Sequence, residues 1–202
     1  YQPTLDRISV NAPYKDWYYN PLEDSRNRDF TTKLFNVNIR PSLTFNIIEG
    51  LSFNTSLQYQ INNTYNRILY YEGNNVVKDL IHVNTQYTNG VYGKMSYPKG
   101  QILDRSSVER NGYTFRNQLN FVRSFKKHDI NFVAGSEIRS RTSDGSTYAR
   151  VYGYNDETLV SSGFPNGLGG TGDNMLYNIF GSSIKITNYT NSFSSSTDRF
   201  FS

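Results

Sequence analysis

Gly167-Leu168-Gly169-Gly170-Thr171-Gly172 has the G-x-G-x-x-G spacing that, in nucleotide-binding folds, lets backbone approach a pyrophosphate at a helix start. No parallel strand and helix pattern flanks it here, so it reads as part of a long loop. His82 and His128 are the only histidines. A hydrolase needs a serine, a base and an orienting acid brought together, and no serine stands out among the many. His128-Asp129 reads as a polar turn. No His, Asp or Glu spacing suggests a closed metal site, and adjacent Asp156 and Glu157 read as solvated carboxylates. The expectation is a protein with no catalytic, cofactor or metal residues, not an enzyme. Tyr14, Trp17, Tyr18 and Tyr19 form the densest aromatic cluster. Sugar rings stack on such faces, which makes the four a candidate ligand or partner contact, against the plainer reading of loop packing or an interface belt.

The elements that must position these residues are strands. Phe35, Val37, Ile39, Pro41, Leu43, Phe45 and Ile47 alternate with Asn36, Asn38, Arg40, Ser42, Thr44 and Asn46. After Glu49-Gly50 the pattern resumes as Leu51, Phe53, Thr55, Leu57, Tyr59 and Ile61 against Ser52, Asn54, Ser56, Gln58, Gln60 and Asn62. Successive strand side chains point to opposite faces, so one face is apolar and the other carries amides and hydroxyls. A second pair carries Tyr113, Phe115, Leu119 and Phe121, reverses at Lys126 to Asp129, and returns with Ile130, Phe132, Ala134 and Ile138. Asn117 interrupts that stripe, and Glu137 and Arg139 take the opposite face. Two-faced strands of this length suit a barrel wall with lipid outside and water inside. Asn36, Asn38, Arg40, Gln58, Gln60, Glu137 and Arg139 are then candidate lumen-facing residues, while Phe35, Val37, Leu43 and Phe45 meet lipid.

Composition points the same way. The 202 residues are 36% hydrophobic yet 15% aromatic, with 17 Tyr and 13 Phe, and the mean hydropathy is -0.64. Only alternate residues of a barrel strand face lipid, and aromatic girdles mark the interfaces. No run approaches the roughly 18 apolar residues of a membrane helix. There is no Cys, hence no disulfide framework and no thiolate ligand. The net charge of +4 comes from scattered Lys and Arg, which gives nucleic-acid binding little support and suits anionic lipid head groups equally well.

The fold class expected is all-β: an antiparallel transmembrane β-barrel segment of four to five long strands. The chain divides into a loop over 1–30, a first hairpin over 31–72, a loop over 73–105 with a short helix near Val76 to Val83, a second hairpin over 106–152, a loop over 153–190 and the start of a next strand over 191–202. Short turns on one side and long loops on the other make the latter extracellular. Pro41 cannot donate to a ladder, so a bulge is expected there. The smallest membrane barrel has about eight strands, so this wall needs others to close. The opening Tyr1-Gln2-Pro3 shows no secretion leader and reads as the start of a processed or truncated chain.

Four stretches resemble the barrel of SusC/RagA-type TonB-dependent transporters. Asn20-Pro21-Leu22 is similar to that family's NPL loop ending, and Glu49-Gly50-Leu51-Ser52-Phe53 to its hairpin. Tyr113 to Phe125 and His128 to Glu137 are similar to two of its strands. The resemblance implies a Gram-negative outer-membrane location and a barrel of about 22 strands around a plug. It also implies a SusD-like surface lipoprotein as partner, energy from the TonB complex, and import of oligosaccharides or peptides. No plug or TonB box is recognisable. The competing readings are another large outer-membrane barrel, such as a secretion or assembly channel, and a soluble β-sandwich that binds carbohydrate.

Overall fold

A computed structural model describes residues 12–14, 19–162, 177–184 and 190–202. Among the described residues, the first regular element is a helix. Asn20 caps a short helix, α1 (Pro21–Arg26), its Oδ1 accepting from Leu22 N at 3.1 Å and Glu23 N at 3.5 Å. Proline at the first helical position and Glu23 and Asp24 in the first turn suit a helix start. The expected loop over 1–30 therefore ends in a helix, and the first strand already begins at Arg28.

Strands β1 (Arg28–Ile39), β2 (Ser42–Ile48) and β3 (Leu51–Tyr70) follow. The run of strand breaks at Arg40 and Pro41, between β1 and β2, both of which pair with β3. A register shift lies further on, between Asn46 and Ile48. At the turn Gly50 adopts φ 85°, the left-handed region that glycine alone enters freely. Helix α2 (Asn75–Val83), close to the span expected, is capped by Asn74, whose Oδ1 accepts from Val76 N at 2.9 Å. Then come β4 (Thr85–Thr88) and β5 (Val91–Met95), an antiparallel hairpin inside the expected loop over 73–105. Its signal was present: Asn89 and Gly90 have φ 51° and 84°, the pair of positive φ angles that Asn-Gly supplies to tight hairpins.

The two longest partners are β6 (Gln101–Phe125) and β7 (His128–Thr147), which pair antiparallel from Ser106↔Thr147 to Phe125↔His128. Strands β8 (Val151–Asn155), β9 (Val160–Ser161) and β10 (Ser192–Phe201) complete the set among the described residues. One sheet runs β1-β3-β6-β7-β10, with β2 also on β3, and β8 and β9 off β6. It is all-β, largely antiparallel and open at both ends of that order.

The chain clusters into two compact units. A loop unit holds 1–31, 66–105 and 148–191; a sheet unit holds 32–65, 106–147 and 192–202. The loop unit has a true core: Val77, Ile81, Tyr97, Ile102 and Tyr152 are buried, with Tyr14, Tyr70, Leu80 and Met95 packed around them. Val77 and Ile81 are four apart and share one face of α2. The helices are tied together by polar groups, Asn74 Nδ2 donating to Asp24 O at 3.0 Å and Asn75 N to Asp24 Oδ1 at 2.7 Å. Arg150 grips Asp104 through two hydrogen bonds of 2.7 and 2.6 Å.

Candidate functional site

In the sheet unit, register decides which side chains share a face. Strands β2 and β3 pair Leu43↔Thr55 and Phe45↔Phe53. Val122 N donates to Gly50 O at 2.7 Å, and Thr55 Oγ1 bonds Asn117 Oδ1 at 2.8 Å. Those contacts set β6 antiparallel on β3 with odd residues beside odd residues. Strands β6 and β7 then pair Phe115↔Ile138, Leu119↔Ala134 and Phe121↔Phe132. The apolar stripes of successive strands thus align into one face, on which Leu43, Phe45, Leu57, Tyr59, Tyr113, Phe115, Phe132 and Ile138 are all exposed. From Leu51 to Ile61, at about 3.4 Å per residue and a barrel tilt of roughly 40°, the stripe rises about 26 Å. Beyond its β7 end the same face turns polar: Ser195 Oγ bonds Asp144 Oδ1 at 2.6 Å.

Two polar residues interrupt the stripe, and they satisfy one another. Asn117 broke the pattern in β6 and Thr55 in β3, and the hydrogen bond between them removes both breaks. Asn117→Leu alone is expected to destabilise by about 1 kcal/mol, because Thr55 loses its partner. Adding Thr55→Val should return most of that. Denaturant midpoints of the two variants and wild type check the difference.

The opposite face is a ladder of amides and charges. Asn54 Nδ2 donates to Thr44 Oγ1 at 2.8 Å, and Gln58 Nε2 to Asn38 Oδ1 at 3.2 Å. Arg116 holds Glu137 Oε2 through Nε at 2.8 Å and through its terminal nitrogen at 2.5 Å. Arg139 lies over the Phe200 ring, 5.3 Å from its centroid. Of the candidate lumen residues, Asn36, Asn38 and Arg139 are exposed, and Gln58, Gln60 and Glu137 are half-buried. Arg40 is exposed in the break between β1 and β2.

The aromatic cluster behaves differently. Trp17 and Tyr18 lie outside the described residues. Tyr19 is exposed, whereas Tyr14 packs on the loop core, its ring edge-on to His82 at 6.0 Å and under Lys99 Nζ at 5.0 Å. The glycine-rich 167–172 segment also lies outside the described residues. His128 opens β7 opposite Phe125. Asp156 forms an ion pair with Arg67, which also bonds Asp29 at 3.2 Å.

His82 is fully buried between Tyr14 and Tyr92. Burial, helped by the cations Lys78 and Lys99, pushes its pKa down to about 4. Tyr92 is pushed up to about 12 by the same loss of solvent, and by Tyr87. Folding therefore holds His82 neutral. Its contribution is complete above the unfolded value near 6.5 and is lost as pH falls from there toward 4, up to about 3 kcal/mol in all. Replacing His82 by Gln should flatten the loop unit's stability across that window, which hydrogen exchange of α2 amides at pH 7 and pH 4.5 would read.

No protein-family model and no curated protein matches this sequence. Among solved structures, the chain is similar to the structure of the RagAB peptide transporter, with a TM-score of 0.59 and 15% identity over 95% of this chain. The likeness is one of fold. It spans 18% of that transporter chain, so this chain matches about a fifth of the length of its structural neighbour.

Proposed function

We propose that this chain is part of the wall of a TonB-dependent outer-membrane transporter of the SusC/RagA type, importing oligosaccharides or peptides into a Gram-negative cell. The observation that carries the reading is the aligned apolar face, exposed from Leu43 across to Ile138, backed by a face of amides and ion pairs. A soluble protein rarely leaves so large an apolar surface open. In lipid the same surface is satisfied, and the polar face lines water. A soluble sandwich has strands of about five or six residues, whereas β3, β6 and β7 run 20, 25 and 20. Outermost strands β1 and β10 each offer one unpaired edge, which in lipid costs several kcal/mol per backbone group unless further strands cover it. The rest of a barrel would supply them.

In this reading the chain does transport and no catalysis. A SusD-like lipoprotein would cap the long loops, and TonB would act through parts of the protein other than this wall. Uptake of peptide or oligosaccharide by cells expressing the protein is expected to stop when an uncoupler dissipates the proton gradient. Uptake that continues unchanged would contradict energised import.

A further inference from the structure

On the polar face, one patch of the sheet has more cation than its neighbours neutralise. Register places Arg110↔Ser143, Gly112↔Arg141, Thr114↔Arg139 and Arg116↔Glu137 across β6 and β7. Strand β10 continues those rows with Phe200↔Arg139 and Asp198↔Arg141. Arg116 is held by Glu137. None of the ion pairs among the described residues includes Arg110, Arg139 or Arg141, although Asp198 stands beside Arg141. All three arginines are exposed. Gly112, between Arg110 and Thr114, carries no side chain, and β7 lies close against it, with Arg141 Cβ 3.7 Å from where a Cβ would stand.

We propose that this patch binds the carboxylates of acidic peptides. The proposal rests on the polar face being the transporter's water-lined face and names the substrate class that face selects. Guanidinium presents a planar fork that matches a carboxylate with two parallel hydrogen bonds. The surrounding Asn and Gln side chains, typified by Asn38 and Gln58, offer both donors and acceptors to peptide groups. A nucleic acid is disfavoured here because base stacking needs several open aromatic faces, and Arg139 already lies over one face of Phe200.

The test uses the complete barrel that contains this chain, purified in detergent micelles, at low salt, with a fluorescent capped hexapeptide of alternating Glu and Ala, and its Gln-for-Glu counterpart. The Glu peptide is expected to bind about fivefold to tenfold more tightly. The preference should fall to near one in Arg139→Gln/Arg141→Gln and survive in Arg139→Lys/Arg141→Lys. Should the double Gln variant not fold, Arg110→Gln reads the same ratio and is expected to halve it or more. Equal affinity for the two peptides, or an unchanged ratio in the Gln variants, would overturn the proposal. So would displacement by inorganic phosphate at the carboxylate's own concentration. Membrane insertion of the same barrel is scored separately, so failure to bind the peptide leaves the wall reading standing, and failure of the complete barrel to insert removes that reading first.

Discussion

Lysine at Leu43 is expected to block membrane assembly of the chain, while lysine at the adjacent Ser42 is tolerated. The two positions differ by one residue and by one face. Leu43 stands in register with Thr55, which bonds Asn117, itself paired with Ser136. That row is near the middle of the stripe between Leu51 and Ile61, where a lipid-facing lysine costs about 2–4 kcal/mol. The expected loss of insertion is therefore roughly thirtyfold to several hundredfold. Ser42 pairs with Ser56 on the polar face, and a lysine there remains in water. Refolding each variant of the complete barrel into phospholipid vesicles and measuring the heat-resistant, protease-resistant fraction reads the contrast; equal outcomes would refute the assignment of faces.

Gly50→Ala is expected to produce the largest loss of stability from a single methyl group. The residue sits at φ 85°, and a Cβ there would run into the backbone carbonyl of Val122. Backbone cannot swing aside as a side-chain tip can, and Val122 N already donates to Gly50 O at 2.7 Å. Gly90 offers a matched control: its φ is 84°, but nothing lies within 4 Å of the position a Cβ would take. Gly90→Ala should cost only the conformational penalty, about 1 kcal/mol. Gly50→Ala should cost about 3 kcal/mol or more, since the hairpin must part from β6. Denaturant unfolding of both variants in micelles checks the difference, and equal costs would mean that the close approach to Val122 contributes nothing.

What the sequence made legible was the part of the fold governed by one physical rule. Where a strand has one apolar and one polar face, alternation survives, as in Phe35 to Ile61 and Tyr113 to Ile138. Where both sides are covered it vanishes. Ile102 and Leu103 are adjacent and both buried, which is why the start of β6 was read as loop. At the far end of β7, Thr142 to Thr147 carry hydroxyls, an acid and a glycine; main-chain pairing to β6 and β10 and polar contacts such as Ser195 to Asp144 hold them, and no hydrophobic signal announces it. The Asn20 cap of α1 and the Asn89-Gly90 turn were local signals, hidden among other loop residues. Facing was legible for the polar candidates because parity fixes it. The company they keep was not: the Arg116 to Glu137 grip and the cluster around Gly112 depend on which strands lie side by side.

The central claim, that the sheet has lipid on one face and water on the other, is open to a direct labelling measurement. The chain has no cysteine, so single cysteines can be placed one at a time from Leu51 to Ile61. With the complete barrel in vesicles, on a cysteine-free background, a water-soluble thiol reagent is expected to label positions 52, 54, 56, 58 and 60 and to spare 51, 53, 55, 57, 59 and 61. Uniform labelling along the strand, or protection of the even positions in place of the odd ones, would contradict the account.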